Sequence, residues 1–503
     1  MLDLLWQGFE IVTRWENIVA IVLGITSGQL IGAVPGFTST MAIALLVPVT
    51  FYINPITGIT FLLGIYKGAM YGGSIPAILV NAPGTPAASA TILDGYPMAK
   101  KGQADKALKM SLYASVIGDT LSDLVLICVA GFIASLAMRF GPPEFFSLVL
   151  FSLTVVGSVA GKSILKGLLS AGFGVFVATI GLDPLTALPR FTFGVTDLET
   201  GFSLIPVLIG LFVFSEVLIQ TEGKGEETKF SIFQRSTDVK DRRISKQEWR
   251  RSLPVILQSS AIGTFIGAIP GLGPTVSAFL SYGQAQRMSK HPEKFGTGVI
   301  EGVAAAEAGN SSTCGATLIP LLTLGIPGDI ATAVLIGAFM LQGLKPGPML
   351  FREHAVIVYG LFAGLILCNI ANLLIGQFSM RLYARIVTAV QKRFLFPVVW
   401  ILCIIGSYAV NSIMFDVYSM LLFGIIGYVF RKLEIPTMPL LLGFILSPML
   451  EMALRQSMII SDGDILIFIH RPISMVFIAL TIAMIGYLIF IRLLERRGMD
   501  KTS

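Results

Sequence analysis

Apolar residues fill this chain in long unbroken runs instead of alternating or recurring once per helical turn. The runs 111–138, 145–160, 395–430 and 472–491 are long enough to cross a hydrocarbon layer about 30 Å thick as helices, which takes about 20 residues each. Strands of a membrane barrel alternate inward and outward residues, and these runs do not. The pattern therefore predicts an all-α polytopic membrane protein. Asp3, Glu10 and Glu16 precede the first apolar run, with neither a basic start nor a small-residue cleavage site, so no removable signal is expected there. Residues 2–14 read as a short amphipathic helix on the surface of a lipid bilayer.

Composition agrees. Of 503 residues, 54% are hydrophobic and 13% charged, and mean hydropathy is +0.80, whereas soluble domains are about one-quarter charged. Cys128, Cys314, Cys368 and Cys403 stand alone in apolar segments, which suggests neither disulfides nor a zinc site. The net charge of +6 is modest, and basic residues in such a chain mostly mark cytoplasmic loops. Nucleic acid is not an expected partner.

The sequence repeats itself. IGAVPGF at 31–37 answers IGAIPGL at 266–272, NAPGTPAASA at 81–90 answers LGIPGDIATA at 324–333, and PVLIG at 206–210 answers PLLLG at 439–443. We read a duplication of 1–221 and 253–503 around a polar linker, 222–252, whose nine Lys and Arg place it in the cytoplasm. Basic residues then alternate between matched loops. Segment 97–109 holds four lysines against Lys345 and Arg352 in 341–353, and 284–298 holds three basic residues against none in 49–58. Likewise 381–393 holds four against Arg139 alone in 132–144. Two copies inserted in opposite directions produce this alternation, so inverted-topology repeats are expected.

Segment 253–285 has basic residues at both ends and is too short to cross twice, which predicts a re-entrant hairpin turning at 270–274, with a counterpart turning at Pro35-Gly36. Proline lacks the N–H of an intact helix and glycine tolerates positive φ, so each Pro-Gly pair breaks a helix. In hydrocarbon the freed backbone groups cost several kcal/mol each unless protein, water or a ligand satisfies them. Helix N-termini attract anions and C-termini cations, so matched breaks suit a charged solute and its coupling ion. The expected substrate-binding residues are Pro35, Gly36, Thr38, Ser74, Asn81, Pro83, Gly84, Thr85, Pro270, Gly271, Gly273, Asn310, Ser311, Pro327 and Gly328.

At these residues the chain resembles a bacterial family, the large membrane subunit of the tripartite tricarboxylate transporters. The resemblance lies in GAMYGGSIPAILVNAPGTPAASATILDGYPMAKKGQADKAL at 68–108, IGAIPGLGPTVSAF at 266–279, EGVAAAEAGNSSTCGATLIPLLTLGIPGD at 301–329 and GLKPGPMLF at 343–351. It implies a multi-pass permease of the bacterial cytoplasmic (inner) membrane, working with a small four-helix membrane subunit and a periplasmic solute-binding protein. Such a permease takes up small carboxylates by cation symport, with Na⁺ or H⁺ as coupling ion and no other cofactor. Two positions depart from the family pattern: Asn310-Ser311 replaces paired asparagines, and Asp329 replaces a small residue. An added acid repels an anionic substrate unless it is protonated, paired or occupied by a cation.

Charges inside apolar runs add candidates. Glu307 and Asp329, with the neutral oxygens of Asn310, Ser312 and Thr313, form an expected cation-coupling set suited to a hard ion such as Na⁺. Lys67 needs a substrate carboxylate, an acidic side chain or backbone carbonyls if it is buried; the other reading is snorkelling to the interface. Asp119, Asp123, Glu216, Asp416 and Glu451 read first as contacts between helices or interfacial residues. His291, His354 and His470 fall in loops or segment ends and no catalytic motif occurs, so an enzyme is not expected. A self-sufficient transporter or a channel for another small anion is the alternative reading.

Overall fold

The computed structural model describes residues 2–159, 163–222, 238–389 and 392–499. Within the linker, 223–237 fall outside the described residues. Helices dominate. The first run is α1 (Leu2–Val12), α2 (Trp15–Gly32), α3 (Ser39–Thr50), α4 (Pro55–Gly72), α5 (Ser74–Val80), α6 (Ser89–Lys100) and α7 (Ala104–Ala137). It continues as α8 (Pro142–Val159), α9 (Ile164–Ala178), the antiparallel pair β1 (Gly181–Leu182) and β2 (Pro189–Arg190), α10 (Leu204–Leu208) and α11 (Ser215–Glu222). The second run is α12 (Lys246–Gly267), α13 (Gly273–Met288), α14 (Ile300–Ser311), α15 (Thr313–Leu324), α16 (Ile330–Leu341), α17 (Leu350–Glu353) and α18 (Ala355–Ala389). The chain closes with α19 (Lys392–Asn411), α20 (Met414–Lys432), α21 (Thr437–Ile460), α22 (Ile467–His470) and α23 (Pro472–Met499). Among the described residues, six helices are long and apolar enough to cross a membrane. The chain is an all-α multi-pass membrane protein.

Some boundaries differ from the sequence reading. The run 395–430 is two helices, because Ser412 adopts φ 59° between α19 and α20. Segments 97–109 and 381–393 are largely helical, since α6 ends at Lys100, α7 starts at Ala104 and α18 runs to Ala389. Helices of 34 and 35 residues reach roughly 50 Å at about 1.5 Å per residue, longer than the hydrocarbon layer, so they carry basic residues past the apolar stretch.

Two compact units form, and each draws on both sequence halves. One contains 1–134 with 212–412, the other 135–211 with 413–503. In the second unit, α9 packs on α21 at Gly174 and Gly443, where an added methyl would meet the Leu440 and Ala171 carbonyls. Arg455 donates to Asp183 at 3.1 and 2.7 Å and pairs with Glu451 at 2.6 Å, and Arg190 joins Glu451 at 2.7 Å, closing a charge network around the β hairpin. The Arg455 guanidinium, then the Thr186 and Leu185 amides, hold the Asp183 carboxyl well below the usual range.

In the first unit α2 and α4 run parallel, with Gly24, Gly28 and Gly32 laid against Phe61, Ile65 and Ala69. Small residues four apart let backbones approach where lipid offers no hydrophobic drive. Between them α3 returns, so that Thr50 lies beside Gly58, and Thr57 donates to Asn17 at 2.6 Å. Segment 15–50 is therefore a helical hairpin with both ends at one level. The second run repeats this layout. α12 lies along α14 and α15, with Gly263 against Gly309 and Gly267 against Thr313, while α13 returns so that Gln258 meets Met288.

Candidate functional site

Each hairpin tip is a Pro-Gly turn with the same backbone. Gly36 and Gly271 both have φ 91°, a conformation that glycine adopts without strain. The Thr38 hydroxyl accepts from Met41 N to cap α3, and Gln220 of α11 donates to the Gly36 carbonyl at 3.0 Å. Gly271 N donates to the Gly328 carbonyl at 2.9 Å, which joins the two second-half breaks, and Gly273 follows at φ 66°.

The other two breaks also match. α5 ends at Asn81 (φ 58°) and α15 at Gly325 (φ 73°), both left-handed. Ala82 N then donates back to Pro76 O at 3.4 Å, and Ile326 N to Pro320 O at 3.2 Å. One offset aligns all six residues with Pro83 and Pro327, and aligns Thr85 with Asp329. Gly84 N donates to Gly73 O at 3.0 Å, and an added methyl on Gly84 would overlap the Gly32 carbonyl, so the Pro83 break abuts the end of α2. None of the four prolines is exposed. Asn81 is exposed.

Buried polar groups surround these breaks. Glu307 of α14 is fully buried, and its carboxylate accepts from Thr91, from Ser74 at 2.5 Å and from Ser115 at 3.0 Å, three hydroxyls of α6, α5 and α7. One turn further along the same face, Asn310 has neither its amide oxygen nor its nitrogen hydrogen-bonded, and the Ser311 and Thr85 hydroxyls are likewise buried without partners. Native buried polar groups are satisfied in the great majority of cases, so such orphans mark a place for water, an ion or a ligand. Ser312 and Thr313 donate to the Gly309 and Asn310 carbonyls at 3.3 and 2.7 Å and keep lone pairs free to accept. Asp329 caps α16, accepting from Thr332 N at 2.8 Å, and accepts from the Tyr66 hydroxyl at 2.7 Å. Its charge faces a helix N-terminus, which favours an anion.

Lys67 is buried, and acidic side chains are its partners. Its ammonium donates to Asp123 at 2.7 Å and to the Asn369 amide oxygen at 2.8 Å, with Asp119 at 3.5 Å. Asp119 and Asp123 are thus contacts between helices, as read from sequence. The sequence pattern does not single out Tyr66, Thr91, Ser115 or Gln220; Asn369, an amide within the apolar run of α18, carries a local signal. The glycines at 24, 28 and 32 and at 64, 68 and 72, passed over in the sequence reading, carry a signal too, a small residue every fourth position.

Residues 18–442 match the family model described as tripartite tricarboxylate transporter TctA family. The chain is 37% identical over 489 residues, 96% of each chain, to an uncharacterized 52.8 kDa protein in the TAR-I ttuC' 3' region of Agrobacterium vitis. It is 40% identical over 212 residues to an uncharacterized protein in the TAR-II ttuC' 3' region of the same organism, covering 42% of this chain and 87% of that one. No solved structure matches.

Proposed function

We propose a function from one premise, that the chain belongs to the tripartite tricarboxylate transporter TctA family: it is the large permease of a binding-protein-dependent carboxylate symporter. Membership points to a transporter subunit rather than an enzyme, in an assembly with partner subunits. The finer reading is ours. A periplasmic solute-binding protein delivers a carboxylate to the permease in the bacterial cytoplasmic membrane, a small four-helix subunit completes the complex, and Na⁺ or H⁺ drives uptake.

The halves act as inverted repeats with re-entrant hairpins. Gln342 donates to Thr50 O at 2.5 Å, so 341–353 lies with 49–58. Gly296 and Gly298 donate to Asp94 at 3.0 and 2.7 Å, and Gly298 abuts Pro97, so 284–298 lies with 94–109. Copies facing the same way would put 49–58 with its own counterpart, 284–298; the observed grouping supports inversion. The basic groups gather accordingly, since Lys106 donates to Glu248 at 2.9 Å and Lys109 to Arg242 O at 3.0 Å at the end of the linker.

One observation carries the site: the buried, unpartnered amide of Asn310 on the face of α14 that also bears Glu307. Its orphaned atoms, with Ser311, Thr85 and the Pro-Gly backbones, suit a carboxylate and a cation with Glu307, Ser312, Thr313 and Asp329 beside them. Proteoliposomes holding the chain, its partner subunits and a binding protein provide the test, using a panel of di- and tricarboxylates under a cation gradient. Saturable accumulation that requires both the binding protein and the gradient is expected. Asn310→Ala assembles and abolishes uptake; passive, gradient-dissipating flux, or full uptake by this variant, contradicts the reading.

A further inference from the structure

Lys67, Asp119 and Asp123 place two carboxylates against one ammonium, all fully buried. The bonds are shared unequally. Asp123 Oδ2 accepts from Lys67 and from Asn369 Nδ2, each at 2.7 Å. Asp119 is held more weakly, with Lys67 3.5 Å from Oδ1 and the weakly donating Cys314 thiol as its other donor. The other groups facing it are Asp123 on its own helix and the Cys314 thiol of α15. With both aspartates ionised, one ammonium would face two buried carboxylates, and Asp119 would be the one with the weaker donors, an excess charge that low-dielectric surroundings penalise. A metal cation there would press against the ammonium, whereas a proton neutralises the carboxylate without adding charge beside Lys67.

We infer that Asp119 is a proton-binding site, loaded and released as the transporter works. This deepens the symport reading and rests on it for the cycling. On loading, a hydronium ion transfers its proton to the Asp119 carboxylate and an O–H bond forms; on release that bond breaks and the proton returns to water. Nothing is oxidised or reduced. The place in the fold suits coupling. Tyr66, beside Lys67 on α4, binds Asp329 after the Pro327 break, and an added methyl on Gly315 of α15 would crowd Asp123.

Infrared difference spectra of the full chain in phosphatidylcholine vesicles, recorded between acid and alkaline pH, read this group directly. The expected result is a protonated-carboxyl carbonyl band that shifts when aspartate is labelled with carbon-13, is lost in Asp119→Asn, persists in Glu307→Gln, and is unaffected by exchanging choline chloride for sodium chloride. A band insensitive to aspartate labelling, one retained in Asp119→Asn, one removed by sodium, or no band at any pH overturns the inference. The labelling needs no variant, so a band insensitive to it overturns the inference even if Asp119→Asn misfolds, and Asp119→Glu, which should move the band out of the aspartate-labelled set, assigns it to this position. Carboxylate uptake without the band sinks this inference alone; the band without uptake supports the proton site and sinks the transport reading.

Discussion

At the residue scale, the decisive facts are which buried polar groups have partners. That Lys67 would need one was legible, because a lysine inside an apolar segment must pair or snorkel. Which partner was not, since Asp119, Asp123 and Asn369 reach it from helices distant in sequence. Removing one member of a buried pair strands the other, so Lys67→Met is expected to destabilise the chain by about 3–5 kcal/mol. Lys67→Met with Asp123→Asn is expected to recover most of that, as read by thermal unfolding in detergent. A single variant as stable as the parent would mean the pair is not formed. Asn81 makes a second case. Its left-handed backbone matches that of Gly325, so Asn81→Gly should keep the turn and the melting temperature, while Asn81→Val should lower it because β-branched residues resist that conformation.

At the scale of elements, the breaks were the most legible feature, because proline and glycine act on their own backbone wherever the chain places them. Packing was legible only as a pattern of small residues. A valine at Gly28 would drive its side chain into the Ile65 carbonyl and Ala69 nitrogen, and overpacking of this kind costs roughly 1–3 kcal/mol or more. Gly28→Val should therefore lower the yield of monodisperse protein on size-exclusion chromatography, whereas the same change at Gly172, which meets nothing within 4 Å, should not. The hairpin at 181–190 was not foreseen, since its two short strands depend on Arg455 and Glu451 from far along the chain. Because Asp183 is held below its unfolded value of about 3.9, its contribution to stability is present above that pH and lost as pH falls through the folded value. Protection of the Leu185 and Thr186 amides, which donate to Asp183 at 2.9 Å each, should fall on acidification by hydrogen exchange. Asp183→Asn should lack that dependence.

At the scale of the molecule, the repeated motifs and the alternation of loop charge are legible in the sequence, because both are written in local composition. The compact units cut across the two sequence halves, and nothing local announces which distant helices share a unit. The central claim is that the copies face opposite ways, with their broken helices meeting inside the first unit. The most direct measurement is labelling of single cysteines at Tyr52, Lys101, Lys290 and Lys345 with a membrane-impermeant maleimide, in a background lacking the four native cysteines, on intact cells and on inverted vesicles. We predict that positions 101 and 290 label from the cytoplasmic side and 52 and 345 from the opposite side. Labelling of 52 with 290 on one side and 101 with 345 on the other would contradict the account.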